Sequence, residues 1–159
     1  MDTTSIVGVD PGLVHTGVVQ LAFEPHNKQI VVKAEAILGV DDAAVDKVVR
    51  WCASSDHGWI EGYKPRTNLG TDRRMLDAVA RLRKATGYTV LDNMGIKKVI
   101  TPGLMQVLGC WTFSTPTHHQ DLRSAARIAL LGYIKTDDGN RMVADVVRDH
   151  LAGRGWRIV

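Results

Sequence analysis

The apolar positions of this chain change their period several times, and each change marks an element. Residues 5–10 (SIVGVD) are almost wholly apolar until Asp10, the pattern of a strand buried on both faces. Pro11-Gly12 breaks it. TGVVQLAF (16–23) and QIVVKAEAIL (29–38) predict two more strands, with Pro25-His26-Asn27 turning between them. Connections this short imply an antiparallel meander. The period then lengthens. Val45, Val48, Val49 and Cys52 recur at i, i+3, i+4 and i+7, one face of a helix capped by Asp41 or Asp42.

HGWIE (57–61) predicts a brief fourth strand, again ending in a carboxylate. GYKPRTNLGT (62–71) has loop composition. Residues 72–86 predict a helix with Met75, Leu76, Val79 and Leu82 inward, ended by Gly87. KKVIT (97–101) reads as a fifth strand stopped by Pro102, and residues 104–108 as one helical turn. Residues 120–134 form a strongly apolar helix. Residues 137–140 read as a turn before an amphipathic helix over 141–151, and residues 156–159 as an edge strand. The expected fold class is α/β: a five-stranded mixed sheet, three antiparallel strands followed by crossover-connected ones, flanked by helices.

Length bounds the architecture. The 159 residues suit one domain, with a core over about 5–135 and a C-terminal helix and tail over 139–159. No apolar run reaches membrane-spanning length, and no secretory start is visible. No membrane partner is therefore expected. Cys52 and Cys110 lie in apolar stretches and read as reduced core thiols of a cytoplasmic protein.

The net charge is only +3. Its distribution says more: Lys64, Arg66, Arg73, Arg74, Arg81, Arg83, Lys84, Lys97 and Lys98 face only Asp72, Asp77 and Asp92 in the same stretch. Such a run is either a set of solvated helix faces or a patch that contacts phosphates.

The acidic residues carry the chemistry. Asp10 ends the first strand, Glu61 ends the fourth, and His118-His119-Gln120-Asp121 opens the apolar helix. Neighbouring first and fourth strands would project Asp10 and Glu61 from one end of the sheet. His118 and Asp121 are three apart and share a helix face. Each piece has an ordinary alternative: Asp10 as a turn residue, Asp121 as a helix-start acid, the histidines as exposed caps. Together they describe a pocket whose carboxylates repel unless hard divalent cations enter. Two ions about 3.5–4 Å apart can clamp the attacking and leaving oxygens of a phosphodiester. Either His118 or His119 can complete the set, or serve as a proton shuttle.

IVGVDPGLVHTG around Asp10, WIEGYKPR around Glu61 and the late HHQD, in this order, resemble the RuvC-type Holliday junction resolvases of the RNase H-like superfamily. The compact form is similar to phage-type members. The resemblance implies that Asp10, Glu61, His118 and Asp121 are the catalytic metal ligands, holding two Mg²⁺ or Mn²⁺ ions. It implies a homodimer that nicks opposite strands of a four-way junction, located in the cytoplasm of a bacterium, or of the host cell if phage-encoded. Tyr63, Lys64, Arg66, Arg73, Arg74 and Arg123 are the expected DNA-binding residues. Tyr63 would stack on an exposed base. The segment before the last site is short for this family, and the helix after Ile134 lies outside its pattern. Two alternatives stay open: a nuclease of the same fold acting on RNA–DNA hybrids or on flapped or single-stranded DNA, and a non-catalytic nucleic-acid-binding module.

Overall fold

The computed structural model describes residues 1–65 and 70–159. Three strands, β1 (Thr4–Asp10), β2 (His15–Glu24) and β3 (Gln29–Leu38), form the expected antiparallel meander. Then follow α1 (Asp42–Ala53), β4 (His57–Glu61), α2 (Gly70–Thr86) and β5 (Thr89–Leu91). Two short helices, α3 (Ile96–Val99) and α4 (Pro102–Val107), precede the long α5 (His119–Ile134) and α6 (Asp137–Leu151). The tail adds β6 (Arg157–Ile158). The sheet has six strands in the order β5-β4-β1-β2-β3-β6. β4 and β5 run parallel to β1, and β6 runs parallel to β3.

The sheet separates two apolar layers. Val7, Val9, Val18, Ile37 and Ile60 face α1 and α2. Ile6, Val19, Leu21, Phe23 and Ile30 face α5 and α6. This is the period-2 alternation of strands covered on both sides. Asp41 Oδ1 accepts the Ala44 N–H at 2.9 Å, so Asp41 is the cap of α1. Among the described residues, no helix is long and apolar enough to cross a membrane.

Four expectations need correction. The sheet has six strands where five were expected, because the tail joins β3. The fifth strand is Thr89–Leu91 and not residues 97–101. There, Ile96 and Ile100 are four apart and both buried, which favours a helical turn over a strand. The Thr101 hydroxyl accepts the Leu104 N–H at 3.2 Å and starts α4 instead. Residues 137–140 are the first turn of α6 rather than a separate turn. Thr136 Oγ1 accepts the Gly139 N–H at 3.0 Å, and Asp137 and Asp138 suit the positive end of the helix. On α2, Leu76 is exposed while Asp72 is buried at 6 % exposure. The hydroxyl of Tyr63 donates to Asp72 Oδ1, a contact that accounts for an inward carboxyl.

The approach of α5 to the sheet depends on absent side chains. A Cβ on Gly8 would stand 1.9 Å from the Ala125 carbonyl oxygen, and one on Gly17 would stand 2.7 Å from that of Asp121. On α5 itself, a Cβ on Gly132 would meet the Trp59 indole at 2.1 Å. Helix backbone therefore lies directly on strand backbone over β1 and β2. Gly8→Ala is expected to destabilise the fold by about 3 kcal/mol, the upper range for overpacking against atoms that cannot turn aside. Urea denaturation measures this; an unchanged midpoint would contradict the packing described.

Candidate active site

Two parallel strands set the first half of the site. In the register of β1 with β4, Val9 pairs with Ile60. The next residue on each strand is its last, Asp10 and Glu61. Side chains alternate, so Asp10 shares a face with Ile6 and Gly8, and Glu61 shares one with Trp59. Both faces look toward α5. The carboxylates thus sit side by side at the carboxyl ends of adjacent parallel strands, where open α/β sheets place their ligand sites.

The glycine contacts set the second half. Gly17 is the antiparallel partner of Asp10, and it is the residue on which the Asp121 backbone rests. The first turn of α5 is thereby pinned beside Asp10. His118 precedes that turn in the left-handed conformation, φ +64°. Its Nδ1 lies 3.5 Å from Asp121 Oδ2. His119 turns elsewhere: its Nδ1 accepts the Phe113 N–H at 3.3 Å. Of the two histidines, only His118 joins the acidic group.

The electrostatics are those of crowded carboxylates. Burial, then the adjoining Glu61 carboxylate, then the Asp121 charge push the Asp10 carboxyl up to about 9. Glu61 Oε1 accepts from Asn93 Nδ2, but Glu61 Oε2 is buried and finds no hydrogen-bond donor among the described residues. A buried carboxylate oxygen with no donor calls for a proton or a cation. This all-oxygen pair fits a hard divalent ion. Asp121 is near enough for its charge to act on Asp10. Among the described residues, no three His, Cys, Asp or Glu side chains form a complete metal cluster. Asp121 instead engages His118.

A cleft of about 540 Å³ opens onto the carboxylates. Asp10, Glu61, Tyr63, Lys64, Met75 and Asn93 are in its wall. Lys64 Nζ pairs with Asp92 at 2.7 Å across an exposed surface. Arg73 and Arg74 are exposed on the first turns of α2. Arg66 lies outside the described residues. Two expected DNA contacts are engaged within the protein. Tyr63 packs on the α2 layer with its hydroxyl on Asp72, and the Arg123 guanidinium lies 3.8 Å over the Trp111 ring while Nε donates to the Trp111 carbonyl at 2.6 Å.

Three residues of the site were not singled out from the sequence. Asn93 holds Glu61, and only the pairing of β5 with β4 brings it there. His15 is the first residue of β2, and its ring stands 4.0 Å from that of His118. Arg127 is buried beside Glu61, although its position on the apolar helix gave no such signal. Thr16 has a structural part: it is buried and its hydroxyl donates to the Gly39 carbonyl at 3.2 Å.

The fold is similar to that of solved Holliday junction resolvases, RuvC among them. The chain is similar to Thermus thermophilus RuvC in complex with a Holliday junction substrate, with a TM-score of 0.54 and 17 % identity over 89 % of this chain and 95 % of that one. It is similar to the yeast mitochondrial Holliday junction resolvase Ydc2, with a TM-score of 0.55 and 10 % identity over 91 % of this chain and 82 % of that one. No protein-family model matches the chain, and no curated protein matches it in sequence. At these identities the likeness is one of fold.

The pH dependence of stability follows from Asp10. Between its ordinary value of 3.8 and about 9, the folded chain keeps a proton that the unfolded chain has released. The stability from this group is therefore full at low pH and is lost as pH rises through that window. In chelator, Asp10→Asn is expected to melt several degrees above wild type near pH 8. That gain should shrink toward pH 4, as other carboxylates come to govern both proteins alike. Thermal melts across this range check it, and a gain independent of pH would refute it.

Proposed function

We propose that this chain is a divalent-metal-dependent DNA endonuclease that cleaves branched DNA, with the four-way junction as its principal substrate. The observation that carries the reading is the Asp10–Glu61 pair, two carboxylates forced together beneath the start of α5 with a buried oxygen lacking a donor. Among the described residues neither carboxylate takes part in a salt bridge, which sets the pair apart from a structural ion pair. The fold likeness to junction resolvases supports the substrate class.

Asp10, Glu61, Asp121 and His118 would hold the ions, Mg²⁺ or Mn²⁺. Bound ions would supply Lewis-acid stabilisation of charge on the phosphodiester oxygens. The chain's own residues do the rest. Asn93 orients Glu61 through Oε1, leaving Oε2 toward the pair. His118, with its Nδ1 3.5 Å from Asp121 and its ring tilted against that of His15, would serve as a proton shuttle. Lys64 in the cleft wall would offer positive charge to a polyanion, and Arg73 and Arg74 are exposed on the first turns of α2. A homodimer, as the resemblance implies, would supply two such sites for paired nicks.

Asp10→Asn is expected to abolish cleavage in Mg²⁺ or Mn²⁺ while leaving junction binding largely intact. Full activity of the purified variant would refute the assignment. Mn²⁺ should raise the melting temperature of wild type and not of Asp10→Asn. A cleavage panel of four-way junction, fork, flap, RNA–DNA hybrid and linear duplex tests the substrate. Symmetric paired nicks confined to the junction are expected, whereas preferential cutting of hybrid or flap would overturn the substrate assignment and leave the nuclease standing.

A further inference from the structure

Glu61 stands in the wall of a second cavity, of about 420 Å³, separate from the cleft described above. Asn93, Lys97, Lys98, Ser124 and Arg127 are also in its wall. Arg127 is the unusual member. It is only 8 % exposed, and its Nε donates to the Ile100 carbonyl at 3.4 Å. The Trp111 ring lies 5.8 Å from its guanidinium. A guanidinium has five N–H donors and keeps its charge in proteins. Among the described residues the bond to Ile100 is the one hydrogen bond Arg127 makes, and Arg127 is part of the cavity wall.

We infer that this cavity binds a backbone phosphate of the nucleic-acid strand, flanking the phosphate that enters the Asp10–Glu61 cleft. The inference rests on the nuclease reading above. A planar guanidinium fork, two ammonium groups and the Ser124 hydroxyl suit an anion with several oxygens. Three cations outweigh the one opposing carboxylate, Glu61. That carboxylate belongs to both cavities, so a strand held in one is placed with respect to the other. Arg127 is then a positioning residue: it fixes the strand and takes no part in bond breaking. Its rigidity comes from packing, since Trp111 and the Ile100 carbonyl hold the side chain before any ligand arrives.

The test is the salt dependence of binding to a synthetic four-way junction in chelator, where no cleavage occurs. Each phosphate contact contributes about 0.9 to the slope of log K against log salt on duplex arms. Arg127→Gln is expected to reduce that slope by about 1, and Arg127→Lys to retain it. The double variant Lys97→Gln/Lys98→Gln changes only exposed residues, so it carries the test should Arg127→Gln fail to fold; its slope should fall by about 1 on the same basis. Unchanged slopes in folded variants overturn the inference while wild-type binding keeps the nuclease reading. Binding of inorganic phosphate at Arg127 with unchanged junction slopes makes the cavity a free-phosphate site and also overturns it. A wild-type chain that binds no nucleic acid sinks both readings together.

Discussion

The contact between the backbone of α5 and the glycines of β1 and β2 is the constraint on which the rest depends. Gly8 under Ala125 and Gly17 under Asp121 bring helix and sheet closer than any side chain allows. Burial of Leu122, Ala125, Ala126 and Ala129 drives this contact, and the small residues set its distance. Once α5 lies there, its first turn has only one place to be. Asp121 comes to rest over the cross-strand neighbour of Asp10. A helix standing further out on larger residues would keep the same topology and disperse the acidic group.

The parallel pair β1–β4 contributes the other half. Antiparallel strands would put Asp10 and Glu61 at opposite ends. Parallel pairing with Val9 beside Ile60 puts the two strand ends together. The carboxylates therefore meet because of backbone register rather than any attraction between them. Their repulsion is borne by the hydrophobic layers on both sides of the sheet, where Val7, Val9 and Ile60 are wholly buried beneath α1 and α2. The fold holds charges together that would separate if free. This is how a protein prepares a site for cations or a proton.

Polar groups around the site divide into those that hold protein and those that face outward. Tyr63 and Arg123 belong to the first kind, for each is occupied by a neighbour, Asp72 or Trp111. Arg73 and Arg74 belong to the second, exposed on the first turns of α2. His119 is also of the first kind, since its ring nitrogen secures the Phe113 backbone. An aromatic or basic residue near a cleft is thus assigned by its partner and not by its type.

What the amino-acid order determined by itself was local and periodic. Alternation and β-branched runs gave β1 to β4, the i, i+3, i+4 spacing gave α1, the long apolar run gave α5, and the strand-end acids stood out because burying a charge needs a reason. The tertiary structure decided what depends on neighbours far along the chain. β5 is three residues long and is a strand only because β4 is beside it. KKVIT has the composition of a strand, yet two isoleucines four apart had an apolar layer to enter. The tail became a sixth strand because β3 offered an open edge. Asn93, His15 and Arg127 carry no pattern of their own; each matters through the side chain that folding sets against it. Local spacing fixes which way a side chain leaves the backbone, and only packing fixes what it meets.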